Sequence, residues 1–295
     1  MPKRPRIGIT LGDCAGIGPE IVEVALKSGR LSPAADYQIV GDYPLCSLGK
    51  PTPETAHAAA AALEQAVAMA RKGDLDAVVT APIHKAKMYE IGFKFPGQTE
   101  FFAARCGTSN FAMVLTGGTL TVALVTTHIP LGQVAGALRQ SEIVRVGLLL
   151  ADFLQRRSAP RPRIAVAGLN PHAGESGKLG REEIEMIAPA VAELNSSLLS
   201  RHSTLTFDGP HSPDTIFHRA VQGEFDAVLC MYHDQGLIPL KLQGFDDGVN
   251  VTLGLPFPRT SPDHGTAFNT AGKGTARPNS MIAAINLATE LATRR

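Results

Sequence analysis

Arg6–Glu20 reads RIGITLGDCAGIGPE: a β-branched run, a polar loop with three isolated glycines, then a helix opening near Pro19. The same succession returns along the chain. DAVVT (76–80) leads into APIHK, TVALV (121–125) into TTHIP, RIAVA (163–167) into GLNPHAGE, and DAVLC (226–230) into MYHDQG. YQIVG (37–41), FAMVL (111–115) and VNVTL (249–253) are further strand candidates. Between them, Thr55–Arg71 and Ser141–Arg156 carry apolar residues at helical spacing, with Ser141 expected as N-cap. Strands alternating with helices imply an α/β fold whose largely parallel sheet is covered on both faces, with ligands beyond the carboxyl ends of the strands. Five such ends carry unusual polar loops, which are read as one convergent site.

Composition bounds the function. Lys plus Arg minus Asp plus Glu is 28 − 27 = +1, so no global field favours nucleic acid or an anionic membrane, and anion binding must be local. The basic start MPKRPRIGIT has no apolar stretch of signal-peptide kind, and no apolar run reaches bilayer length. A cytoplasmic location is expected. Cys14, Cys46, Cys106 and Cys230 include no CxxC pair, which argues against a disulfide framework and a thiolate zinc site; they are expected as reduced, mostly buried small side chains. Gln155–Arg163, QRRSAPRPR, is expected as a solvated connector, and His202 and His218 as surface residues.

The densest chemistry lies in Met231–Pro278, expected as loops lining a pocket for a charged small molecule. His128, His172 and His233 each follow a strand candidate; three imidazoles from three strand ends suit a divalent ion, although the spacing alone does not separate ligands from structural histidines. Lys241, Asn250 and Arg259 combine a point charge, a neutral donor and a planar fork, as a phosphate or carboxylate requires. GDCAGIGPE offers an anion site or a tight turn, with Asp13 its most conspicuous residue, and it is neither a Walker A loop nor a full GxGxxG fingerprint. Asp246 and Asp247 are expected in a solvated turn.

The tail DHGTAFNTAGKGTARP is similar to the loop with which isopropylmalate dehydrogenases hold the adenosine end of NAD, which assigns cofactor contacts to His264, Gly265, Ala271, Gly272 and Gly274. Taken with GDCAGIGPE, TAPIHK, FPGQTEF, LTGG, TTHIP, LNPHAGE, GPHSPDT, MYHDQGLIPLK and GVNVTLGLPFPRTSP, the chain resembles the 4-hydroxythreonine-4-phosphate dehydrogenase family of pyridoxal phosphate biosynthesis almost end to end. The resemblance implies two α/β/α domains of isocitrate and isopropylmalate dehydrogenase type. Their expected extents are 1–112 plus 255–295, carrying the cofactor loop, and 113–254. It implies NAD or NADP as oxidant, a divalent metal (zinc, magnesium or cobalt) on His128, His172 and His233, and a homodimer with the site at its interface. Substrate contacts fall on Gln98, Thr99, Lys241, Asn250 and Arg259.

The chain departs from the family pattern at two positions: Cys14 stands where relatives commonly read proline in GDPAGIGPE, and Gln98 where they read histidine in PGHTE. Gln98 keeps a donor and an acceptor but cannot carry a proton. The chain is also short between Leu48 and Pro53. The expected reaction is oxidation of the secondary hydroxyl of 4-phosphooxy-threonine, then loss of carbon dioxide to leave 3-amino-2-oxopropyl phosphate, with Lys241 or Asp234 relaying the proton. Alternatives are dehydrogenation of four-carbon sugar-acid phosphates or aromatic cis-dihydrodiol acids on the same scaffold. A silent ligand-binding module or an acyl-phosphate transferase would need neither an NAD loop nor a histidine triad.

Overall fold

The computed structural model describes residues 4–157, 161–200 and 203–294; Ser158–Pro160 of the expected connector, and His202, lie outside the described residues. The chain divides into two compact units, Met1–Ser109 with Asp246–Arg295, and Asn110–Phe245. The return crossing comes ahead of Val249–Leu253 rather than at residues 254–255, because that strand pairs in full register with Arg259–Pro262.

The first segment runs β1 (Arg6–Thr10), α1 (Gly18–Lys27), β2 (Asp36–Val40), α2 (Pro53–Lys72), β3 (Ala77–Thr80), α3 (Lys85–Glu90) and α4 (Gln98–Cys106). α2 shows why sequence so readily dictates a helix here. Thr52 and Thr55 cap each other reciprocally, Pro53 fits the first turn, and Gly73 closes the helix at φ 82°. Ala56, Ala59, Leu63, Ala66, Val67 and Ala70 form its buried stripe, packed with Leu75, Val78, Met88, Phe101 and Phe102.

The second unit follows with β4 (Ala112–Gly117), β5 (Leu120–Leu124), α5 (Val134–Ala137), α6 (Gln140–Arg156), β6 (Arg163–Ala167), α7 (Ala188–Ser200), β7 (Thr206–His211), α8 (Ile216–Val221), β8 (Ala227–Cys230) and α9 (His233–Gln243). Its strand order is β4-β5-β8-β6-β7, with β4 antiparallel to β5 and the other pairs parallel. Leu115, Val122, Leu124, Val228, Cys230 and Leu240 lie in its core. α6 begins one residue early: Arg139, in extended conformation, is the N-cap in place of Ser141, and no side chain caps the helix.

The chain then returns through β9 (Val249–Leu253), β10 (Arg259–Pro262) and α10 (Asn279–Thr293). The first unit's strand order is β2-β1-β3-β10-β9, parallel except for β10 against β9. Met231–Pro278 is therefore not all loop, since it supplies α9, β9 and β10. α9 contains Pro239, and its Gly236 packs so close to β5 that a Cβ would lie 2.9 Å from a Leu124 methyl. β7 and β10 escape a periodicity reading because TFDGPH and RTSP have almost no apolar residues, yet all four residues of β10 are buried. Among the described residues no helix is long and apolar enough to cross a membrane.

After β6 the backbone takes positive φ for six successive residues, His172 to Gly177, four of them not glycine. Each non-glycine residue there costs about 1 kcal/mol or more, so the turn needs an outside restraint. Glu183, only 3% exposed, supplies it by accepting from the backbone N–H of Leu169 (2.8 Å) and Asn170 (2.7 Å) and from Asn170 Nδ2 (2.9 Å). Glu182 takes the other Asn170 amide hydrogen at 2.7 Å, and its backbone and Asn170 hydrogen bonds hold its carboxyl below the usual range.

Replacing Glu183 by Ala strands three donors and should cost on the order of 3 kcal/mol, the scale of hydrogen bonds to a charged acceptor. Denaturation followed by circular dichroism should show the loss, and amide exchange at Leu169 and Asn170 should accelerate. Unchanged exchange at both amides would show that the turn is held by something else.

Candidate active site

Arg259, on β10, is 2% exposed. Its Nη1 donates to Thr252 Oγ1 at 3.2 Å, and its Nη2 donates to Thr80 Oγ1 and, at 3.1 Å, to Gln98 Oε1. The guanidinium carbon lies 5.5 Å from the centre of the Phe102 ring. Burial pushes the guanidinium pKa down to about 9 and the Glu100 carboxylate opposes the shift, which leaves the group cationic at neutral pH. Nε is buried without a partner, so the fork keeps donor capacity.

Gln98 completes this cluster from the start of α4. Its Nε2 donates to Ala81 O at 3.1 Å, which turns Oε1 towards Arg259. Thr99 Oγ1 lies 3.3 Å from Thr252 Oγ1. Asn250 pairs across the ladder with Ser261 and Thr252 with Arg259, so Asn250 lies on the sheet face of Arg259. Four of the expected substrate contacts, Gln98, Thr99, Asn250 and Arg259, are thus gathered in the first unit. Lys241 is not among them. It is exposed on α9 of the second unit, two turns beyond His233 and Asp234.

The expected cofactor segment follows β10. Gly272 (φ 75°) and Gly274 (φ 66°) adopt left-handed backbone that side chains resist. Gly272 N–H donates to Glu20 Oε2 at 2.7 Å, and a Cβ on Gly272 would come within 2.5 Å of Leu48. Thr266 O accepts from Ile17 N–H at 3.0 Å, and Phe268 meets His84 edge-on at 4.9 Å. Gly265 has open space around it, Ala271 is partly buried, and His264 carries a buried Nε2 with no partner. Asp13 is fixed as a turn residue: its backbone bonds Pro82 and Gly16, and Oδ1 accepts from Ala15 N–H at 3.1 Å. Asp246 pairs with Arg277 at 2.6 Å at the surface.

In the second unit, Val125 N–H and Thr126 N–H donate to Cys230 O and Met231 O, lacing the TTHIP loop to the start of α9. Gln235, buried, accepts from Met231 N–H and donates to Gly168 O, each at 2.7 Å, which ties α9 to the end of β6. As a result the His128 and His233 rings stand 5.5 Å apart. His233 Nδ1 lies 2.6 Å from Asp234 Oδ1, the arrangement that fixes a ligand histidine and leaves Nε2 outward. The donor chemistry of this pair fits a divalent ion. His172 does not join the pair but sits exposed on its left-handed turn, within electrostatic reach of Asp214. Among the described residues no three His, Cys, Asp or Glu side chains converge as a metal-holding group.

Thr80, Thr252, Glu183 and Gln235 carry much of this geometry and are not singled out by sequence. A threonine on a strand has no signature, but Glu183 and Gln235 are visible in principle as polar residues spaced to bury with the apolar positions of a helix.

Residues 20–288 match the family described as pyridoxal phosphate biosynthetic protein PdxA. The chain is 43% identical to a protein of Erythrobacter litoralis named 4-hydroxythreonine-4-phosphate dehydrogenase, over 100% of this chain and 98% of that one. It resembles the crystal structure of the Klebsiella pneumoniae protein of the same name with TM-score 0.79 and 38% identity, covering 98% and 99% of the two chains. A terephthalate 1,2-cis-dihydrodiol dehydrogenase of Burkholderia xenovorans follows at TM-score 0.70 and 27% identity, covering 98% of each chain. The isocitrate dehydrogenase of Methylococcus capsulatus, at 18% identity and TM-score 0.53 over 95% of this chain and 83% of that one, shares the fold. With its mixed α/β architecture and this end-to-end likeness, the chain belongs to the PdxA family of pyridoxal phosphate biosynthesis, oxidoreductases of the 4-hydroxythreonine-4-phosphate dehydrogenase kind.

Proposed function

We propose that this chain oxidises the secondary hydroxyl of 4-phosphooxy-threonine with NAD or NADP, and that the 3-oxo acid then loses carbon dioxide to leave 3-amino-2-oxopropyl phosphate. The observation that carries this reading is the buried cation Arg259, framed by Thr80, Gln98 and Thr252 in a chain so similar to proteins named for that substrate. In a desolvated setting a guanidinium attracts a phosphate or carboxylate far more strongly than at the surface. Its unpaired Nε–H, with Thr99 and Asn250 as neutral groups beside it, supplies orientation.

The turn carrying His264, Gly265, Ala271, Gly272 and Gly274 holds the dinucleotide, its glycines admitting close backbone approach. Asp234 is committed to His233, so it orients that ring and Lys241 moves the proton. His128 and His233 hold a divalent ion, which when bound would lower the pKa of the substrate hydroxyl and polarise the ketone. The active form is a homodimer. In support, α9 exposes Ile238 and Leu242, one turn apart, at 67% and 85% on the element that carries His233 and Lys241, and Phe245 just beyond its end is 71% exposed.

Purified protein with a divalent metal and NAD or NADP should reduce the nicotinamide on 4-phosphooxy-threonine, stop on chelation, and recover when metal is restored. Faster turnover of threonate phosphate or of a cis-dihydrodiol acid would replace this reading with its nearest alternative, to which the dihydrodiol dehydrogenase likeness points. Gly265→Val tests the cofactor turn with little strain, since Gly265 has neither a left-handed φ nor a neighbour in the way. It should raise the apparent cofactor constant about tenfold, roughly 1.4 kcal/mol, with the substrate constant unchanged; the reverse pattern would move the turn to the substrate side. Gln98→His should introduce a pH dependence absent from the parent enzyme. Below about pH 6.5 the imidazole becomes a second cation in a site that attracts an anion, so the substrate KM, relative to that of the parent enzyme, should fall as pH falls. A flat profile would show that residue 98 does not face the substrate-binding charge.

A further inference from the structure

Cys14 and Cys46 approach each other with Sγ atoms 3.6 Å apart, Cys46 donating to Cys14, although 31 residues lie between them. Both are free thiols; Cys14 is buried and Cys46 partly exposed. Cys14 lies in the turn after β1 and Cys46 in the loop after β2. The two loops meet again where Gly49 N–H donates to Ala15 O at 2.7 Å. Together they form the bed of the glycine-rich turn: Leu48 lies against Gly272, Gly49 is so close to Phe268 O that a Cβ would stand 2.9 Å away, and Ile17 N–H bonds Thr266 O.

We propose that Cys14 and Cys46 are an oxidisable dithiol, converted by a low-molecular-weight disulfide into an intramolecular bond that pins the 43–50 loop under the cofactor turn and weakens cofactor binding. The effect on cofactor rests on the role given above to residues 264–274, whereas formation of the bond does not. Burial, helped by the Cys46 hydrogen bond, pushes the Cys14 thiol up to about 12, so Cys14 is the resolving and not the attacking group. Cys46, reachable from solvent, attacks the disulfide and releases one thiol of the reagent, leaving a mixed disulfide on Cys46. Cys14 then loses its proton and attacks Cys46 Sγ, expelling the second thiol. Two protein thiols are oxidised and one reagent disulfide is reduced to two thiols. Closing from 3.6 Å to a bonded separation of about 2 Å draws the two loops together, and Leu48 moves against Gly272 with them.

The protein is treated with oxidised glutathione under native conditions and mapped by mass spectrometry without reduction, in parallel with Cys46→Ser and with Cys14→Ser. The expected result is a Cys14–Cys46 peptide pair lacking two hydrogens, no such pair in either variant, and return to free thiols with dithiothreitol. A stable glutathione adduct on Cys46, or no reaction there, overturns the dithiol. In the same samples oxidation should raise the apparent cofactor constant about threefold or more, reversibly, with Cys46→Ser unaffected by the treatment. A quantitative bond with an unchanged constant overturns the claimed control; if Gly265→Val also leaves that constant unchanged, the fault lies in the assignment of the turn.

Discussion

The guanidinium of Arg259 stands inside a sheet, and a charge so placed must find hydrogen-bonding partners or be expelled to water. Much of the first unit is arranged around that demand. Thr80 ends β3, Thr252 lies opposite on β9, and Gln98 opens α4 with its amide turned by Ala81 O. A buried strand of sequence RTSP is stable only because its neighbours supply acceptors: Thr260 Oγ1 donates to Ala284 O on α10, and the Arg259 guanidinium to Thr80, Thr252 and Gln98. The apolar work is done elsewhere, by the α2 stripe and the phenylalanines at 93, 95, 101, 102 and 257.

Gln98 shows how one substitution changes the character of such a network. A carboxamide accepts from a cation on one side and donates to a carbonyl on the other at any physiological pH. Imidazole manages both only while neutral, and its protonation would place a second cation beside the first. Residue 98 in this chain is therefore indifferent to proton concentration.

Legibility in the sequence followed the kind of force involved. Eight strands and the two long helices are visible because apolar periodicity fixes which face is buried; RIGIT and DAVLC have no other sensible place. β10 and β7 are invisible to that test, since their residues are held by hydrogen bonds from elsewhere in the chain. HDQGLIPLKLQ looks like a loop through its glycine and proline, yet Gln235 and the close seat of Gly236 make it a helix. Among the site residues, the strand-end pattern points to His128 and His233, and the structure sets their rings together. That His172 stands apart, on a turn clasped by Glu183, follows from a local backbone conformation that residue types do not announce. Lys241 and Arg259 are grouped by charge in sequence and assigned to different units in the structure.

The first unit is interrupted in sequence, and the interruption orders its synthesis. β1 to β3 emerge first, but the strand that lies against β3 arrives only with Arg259–Pro262, after the whole of Asn110–Phe245 has been made. The second unit is continuous and folds as a unit on leaving the ribosome, while its host is still a half-sheet with one side of β3 unpaired. A nascent chain stalled before residue 259 therefore presents an apolar, unpaired strand edge, the form of surface on which chaperones and aggregation compete.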